Sequence, residues 1–210
     1  MSPQQSSSSR GHVARAFRLT ADIILGIIAG IVLALIATNL LLVAEGKAVY
    51  RTVNGWSFTM QAGKPDHSIL LRALMADELP AANVAEESLY WITAKDGTGH
   101  RLNGQHDYVL HFPAGGLPPN DAFWSLTMTD ARKVLVANPI KRYSVGDRSG
   151  LVPNADGSLD IYIQNTAPAG HETNWLPAPA AGFILWLRAY QPGKAILDGT
   201  YQVPPVMEVK

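Results

Sequence analysis

Ile23–Val43 reads IILGIIAGIVLALIATNLLLV, 21 residues without a charged side chain. As an α-helix rising about 1.5 Å per residue, it covers roughly 31 Å, the thickness of a bilayer's hydrocarbon core. This stretch decides the fold because it divides the chain. A polar tail precedes it, and everything after it must fold on one side of a membrane. Four segments follow: a disordered cytoplasmic tail (1–22), a transmembrane helix (23–44), a linker (45–54) and an exported domain (55–210).

The flanks set the orientation. Met1–Ser9 is rich in Ser and Gln and is expected to be disordered. Arg10, Arg15 and Arg18 then stand before the apolar run, while Glu45 and Lys47 after it cancel. The positive-inside rule therefore keeps the N-terminus in the cytoplasm and exports the rest. A cleaved signal peptide has a similar outline, but its apolar region is about 7 to 15 residues and ends at small residues. Leu42-Val43-Ala44 places a large residue where a small one is required. Within the span Gly26, Gly30 and Ala34 recur every fourth residue, so they share a face on which a second helix can approach closely.

Composition excludes several classes of function. The 210-residue chain carries 17 Lys+Arg and 17 Asp+Glu. Arg10, Arg15, Arg18 and Asp22 are the only charged residues up to Ala44, so the remainder holds 14 basic and 16 acidic side chains. Nucleic-acid binding needs a clustered positive field, which this balance does not supply. With no cysteine there are no disulfides, thiol nucleophiles or Cys-ligated metals.

From Tyr50 onward, short apolar runs alternate with turn signals. Trp56, Phe58 and Met60 alternate as in a half-buried strand. One soluble helix is expected over about Asp66–Glu78, with Ile69, Leu70, Ala73 and Leu74 on its buried face. Strands are expected over Leu89–Ala94, Asp107–Phe112, Ala122–Thr129, Leu159–Gln164, Gly182–Tyr190 and Thr200–Val203. Asp96-Gly97, between the first two of these, reads as a hairpin signal, and Asp156-Gly157 as another turn. Many short strands with few helices point to a mainly β, antiparallel β-sandwich of jelly-roll type, with one or two short helices.

Four stretches in this half stand together: Pro119–Met128 (PNDAFWSLTM), Asn138–Tyr143 (NPIKRY), Asn174–Pro179 (NWLPAP) and Leu187–Pro192 (LRAYQP). With the Asp156-Gly157 turn between them, the region from about Glu87 to Val206 resembles the bacterial domain of unknown function 1214 family. The resemblance implies a jelly-roll sandwich and a bacterial source, and no activity. Many members of that family carry a second domain, of the 1254 unknown-function type, ahead of this one. Here a membrane helix stands in its place. The implied partner is a protein that supplies the companion domain, and the implied address is a bacterial inner membrane with the domain in the periplasm.

Chemistry is less legible. The loop from Asn165 to Ala180 carries His171, Glu172, Asn174 and Trp175. Trp175 either lines a pocket for a sugar or apolar ligand, or plugs the end of the sandwich while Asn174 bonds to the loop backbone. Pro-rich loops often need such internal bonds, which favours the second role. On Gly182–Tyr190 one face carries Phe183, Leu185, Leu187 and Ala189, and the other Ile184, Trp186, Arg188 and Tyr190. If the first face is core, Arg188 lies among aromatics, suited to cation–π contact or anion binding, or it simply covers Trp186. Trp124, Asn174, Trp175, Arg188 and Tyr190 are thus the ligand-binding candidates. His100, His106, His111 and His171 lack any metal-ligand spacing, so neither a metal nor another cofactor is expected. An envelope hydrolase acting on sugars or lipids is the rival. It would draw on Glu86, Glu87, Asp130, Asp160, Glu172 or His171, although no Gly-x-Ser-x-Gly surrounds Ser125 and no Lys-Ser/Thr follows Gly115-Gly116.

Overall fold

The structure is a computed structural model that describes residues 5–65 and 67–209. Its contacts divide between Gly46 and Lys47 into two units. The first is helical: α1 (Gln5–Val49) runs 45 residues, and Arg15–Val49 within it is long and apolar enough to cross a membrane. The helix therefore begins well ahead of Ile23, inside the tail expected to be disordered; Met1–Gln4 of that tail lie outside the described residues. It also continues through the first half of the expected linker. Ala44, Glu45, Lys47 and Ala48 are good helix formers, and the single Gly46 costs only about 1 kcal/mol.

The second unit is mainly β. A hairpin joins β1 (Arg51–Val53) to β2 (Trp56–Phe58) through Asn54 and Gly55. Both turn residues take positive φ, 52° and 84°, as a two-residue turn between twisted strands requires. Then come α2 (Ile69–Glu78), β3 (Ser88–Thr93), β4 (Asp107–Phe112), β5 (Asn120–Thr129) and β6 (Ser144–Gly146). The chain closes with β7 (Leu159–Gln164), β8 (Trp175–Pro177), β9 (Ile184–Pro192), the short α3 (Lys194–Leu197) and β10 (Val206–Val209). Six strands form one sheet in the order β1-β2-β3-β9-β5-β6, and four form another, β10-β4-β7-β8.

The core lies between these sheets. Leu110, Ile161 and Ile163 from one and Leu126, Leu185, Leu187 and Ala189 from the other are fully buried. Aromatic contacts bridge the layers: Phe112 meets Trp124 at 5.6 Å between ring centroids, and Tyr108 meets Phe183 edge-on at 6.0 Å. Strict alternation along β4 and β7 explains their agreement with expectation, because every second residue is apolar and buried.

Five expectations are corrected. The last strand lies beyond Pro204-Pro205, not over Thr200–Val203, where Tyr201 N–H and Thr200 Oγ1 instead bond to the Ala195 carbonyl below α3. The helix α2 starts at Ile69, because Ser68 caps it by accepting from Leu71 N–H at 3.1 Å; Asp66 lies outside the described residues. Its buried face is Leu71, Leu74 and Met75, and Ile69 is 79% exposed. The sheets are not wholly antiparallel, since β8 returns parallel to β7 after a loop. Finally, the Asp96-Gly97 turn does not pair β3 with β4, which belong to different sheets; it closes only a Lys95–Arg101 bridge.

Candidate ligand cleft on the six-stranded sheet

Alternation along β9 builds the cleft. Leu185, Leu187 and Ala189 enter the core, so Trp186, Arg188 and Tyr190 stand on the outer face of the six-stranded sheet. Register fixes their neighbours. Arg188 lies between Tyr90 of β3 and Ser125 of β5, Trp186 between Ile92 and Thr127, and Tyr190 between Ser88 and Phe123. The far wall is residues 79–82, the segment that leaves α2, together with Lys133. The open cleft has a volume of about 340 Å³, enough for a small ligand.

Local chemistry holds that wall in place. Gly63, at φ 71°, packs so closely on residues 83 and 84 that a Cβ would lie 2.4 Å from Asn83 C. Only glycine permits this approach, which ties the segment before α2 to the segment after it. Ala81, with φ 59°, turns the chain back over the cleft. Lys133 Nζ donates to the Asp77 carbonyl at 2.7 Å and to Glu78 Oε2 at 3.3 Å, fastening the end of α2.

Within the cleft the polar groups are oriented, and one cation has no acid partner among the described residues. Trp186 Nε1 donates to Thr129 Oγ1 at 2.8 Å, and Ser88 Oγ donates to the Tyr90 hydroxyl at 2.6 Å. Tyr190 stacks on Phe123 with 4.2 Å between centroids, and the Arg148 guanidinium sits 4.4 Å from the same Phe123 ring. Arg188 Nη1 donates to Thr127 Oγ1 at 2.8 Å, and its guanidinium carbon is 5.7 Å from the Trp186 ring centroid. Among the described residues no carboxylate pairs with Arg188. Burial pushes its pKa below the ordinary arginine value, with Tyr190 and Tyr90 acting in the opposite direction. A guanidinium stays charged at neutral pH even so. The result is a cation with free donors set among three aromatic rings.

The structure separates the other candidates from this cleft. Trp124 is a core residue, 2% exposed, because the alternation that puts Leu126 and Met128 inside carries it there too. Asn174 is buried and saturated: Oδ1 accepts from Val152 N–H, while Nδ2 donates to the carbonyls of Val152 and Asp160. Trp175 is 7% exposed, with Nε1 donating to the Gln164 carbonyl. His171 stacks on Tyr162, and Glu172 accepts from Gly170 N–H; neither lines the Arg188 cleft. His106 and His111 are each bonded to a carboxylate, Glu208 and Asp160 respectively. Gly26 and Gly30 on α1 face open space.

Sequence reading missed Tyr90, residues 79–82 and Lys133, which reach the cleft from segments far apart in the chain. It also missed Arg142, whose Nη1 donates to the carbonyls of Glu172, Thr173 and Trp175 and so pins the Asn174 loop. A larger concavity of about 530 Å³ lies over β1 to β3. Its buried acid, Asp96, is already satisfied by Thr98 and His100, which leaves no comparable uncommitted group.

Comparison with known proteins adds a family and no activity. No curated protein matches the chain. Among solved structures, the VPA0106 protein from Vibrio parahaemolyticus is similar, with 30% identity and a TM-score of 0.59 over 69% of this chain and 36% of that one. An uncharacterised protein from Burkholderia cenocepacia shares 20% identity, with a TM-score of 0.42 over 59% of this chain and 30% of that one. The chain thus spans about a third of the length of these solved structures. Residues 87–194, which contain β3 to β9 and the outer-face residues of the cleft, match the family model of the proteins of unknown function DUF1214. That match takes in half of the sequence, and the chain belongs to the DUF1214 family.

Proposed function

We propose that this protein is a membrane-anchored binding module whose outer-sheet cleft takes a small ligand combining an anionic group with an apolar or aromatic body. The observation that carries this reading is Arg188, a half-buried guanidinium without an acid partner among the described residues, flanked by Tyr90, Trp186 and Tyr190. A planar guanidinium suits two parallel hydrogen bonds to a carboxylate or phosphate. The aromatic walls suit a ring or acyl body. Titration with benzoate and with its neutral isostere benzamide tests the reading. Benzoate binding in preference to benzamide is expected, and equal or absent binding of both would count against it.

The same reading places α1 across a bacterial inner membrane, with the N-terminus cytoplasmic and the sandwich in the periplasm. Arg15 and Arg18 before the span support that orientation. The similar Vibrio parahaemolyticus structure holds further chain beyond the matched region, and a companion protein packing against this domain is part of the same proposal. The face of Gly26, Gly30 and Ala34 is where a partner helix would pack. Purification from membranes in mild detergent should recover a second protein; a monodisperse single chain would oppose this part of the proposal. The hydrolase alternative loses the convergence it required, because His171 and Glu172 do not share a cleft with Arg188.

A further inference from the structure

The connection between β5 and β6, residues 130–143, has no place in the ligand cleft beyond Lys133, yet it is built with unusual care. Its two feet are joined, Met128 N–H donating to the Tyr143 carbonyl at 3.1 Å. Two rigid turns rise from them. In the first, Asp130 Oδ1 accepts from the N–H groups of Arg132 and Val134, and Lys133 takes a positive φ of 64°. In the second, Asn138 Nδ2 donates to the carbonyls of Val136 and Arg142, its Oδ1 accepts from Arg142 N–H, and Lys141 takes φ 53°.

These turns present apolar side chains to solvent. Val134, Leu135 and Ile140 are 54%, 52% and 48% exposed. Among the described residues outside α1, nine large apolar side chains are exposed, and three of them belong to this one connection. Cations surround them. Arg132 and Lys133 precede Val134 on one turn, and Lys141 follows Ile140 on the other. Lys133 is held at the end of α2 by the Asp77 carbonyl and Glu78, whereas Arg132 pairs only with Asp130, an exposed pair that contributes little and exchanges readily for another anion.

The connection also reaches toward Tyr50, near the start of the second unit. Glu78, bonded to Lys133, is close enough to Tyr50 for its charge to act on the phenol. Tyr50 is the one residue between α1 and β1.

We propose that residues 130–143 dock on the surface of the bilayer that α1 crosses, with Val134, Leu135 and Ile140 entering the interfacial region and Arg132 and Lys141 meeting anionic lipid phosphates. This rests on the membrane-spanning reading of α1. Two exposed turn tips suit a lipid interface, where apolar penetration and attraction to anionic headgroups act together. They suit a stable protein partner less well, since that needs roughly 800 Å² of complementary surface from each side.

The absence of cysteine permits a direct test. The full chain carrying Ala137→Cys, or Ala155→Cys as a control on another exposed loop, is labelled with an environment-sensitive dye and placed in lipid nanodiscs. The discs contain phosphatidylcholine alone or equal parts phosphatidylcholine and phosphatidylglycerol. With phosphatidylglycerol the dye at 137 should shift to the blue and become several-fold less accessible to iodide, while the dye at 155 should not. Lys141→Glu combined with Arg132→Glu should reverse the protection without changing the melting temperature. Equal iodide access at 137 and 155 in both lipids, or cross-linking from position 137 to a protein in native membranes, would overturn the docking. Failure of the chain to enter the discs would instead overturn the spanning helix on which the inference depends.

Discussion

Asn174 shows how a polar side chain in a loop becomes structural. Its amide makes three hydrogen bonds to the backbone of residues 152 and 160 at 2.8 to 3.0 Å, and it is 5% exposed. Replacing it by Ala leaves three backbone groups without this partner, two of them on the exposed Val152, at roughly 1–3 kcal/mol for each one that water cannot reach. Asn174→Ala should therefore lower stability by several kcal/mol in denaturant unfolding while leaving benzoate affinity unchanged. Asp96 makes a second residue-scale prediction. Burial raises the pKa of its carboxyl, but the hydrogen bonds from Thr98 and His100 outweigh burial and hold it below the usual value. A depressed folded-state pKa stabilises the fold above the unfolded value near 4, and that stability is lost as pH falls through the folded value. Melting temperature should thus drop as pH falls below about 4 in the native chain, and less steeply in Asp96→Asn. A parallel dependence in both would show that Asp96 is not the linked group.

At the scale of elements, the cap and the glycine contact at α2 decide how firmly the cleft wall stands. Ser68→Ala removes the bond to Leu71 N–H and should cost about 1 kcal/mol. Gly63→Ala forces a Cβ into the backbone of residues 83 and 84, and should cost more in stability and weaken benzoate binding as the wall shifts. A Gly63→Ala chain that binds benzoate normally would show that the wall plays no part. These elements also show what could be read from the chain alone. The strands β4 and β7 were legible because every second residue is apolar, Tyr108, Leu110 and Phe112 in one and Leu159, Ile161 and Ile163 in the other. The burial face of α2 was not, because Leu70, Leu71 and Leu74 are chemically alike and only the packing partner selects among them. The strand β10 was misplaced because Val203 is buried as a strand residue would be, while the following proline pair delays pairing until Val206. The parallel strand β8 has three residues and leaves no periodic trace. Arg188 could be singled out because β9 sets it among aromatics on one face; the wall opposite it comes from tertiary contact, which no local pattern encodes.

The whole molecule joins a helix able to cross a membrane to a two-sheet domain of the DUF1214 family. Tethering a binding module to a bilayer raises its effective concentration toward anything else held there, without new contacts. On this account the sandwich supplies a rigid outer face, α2 and residues 79–82 close one side of it, and Arg188 supplies the charge that selects an anion. The most direct measurement is calorimetric titration of benzoate into the full chain in nanodiscs, compared with Arg188→Met, which keeps the length of the side chain and removes its charge. Saturable binding in the native chain that is lost in Arg188→Met, with the melting temperature preserved, is the predicted result. Equal heats from both chains, or none from the native one, would contradict it.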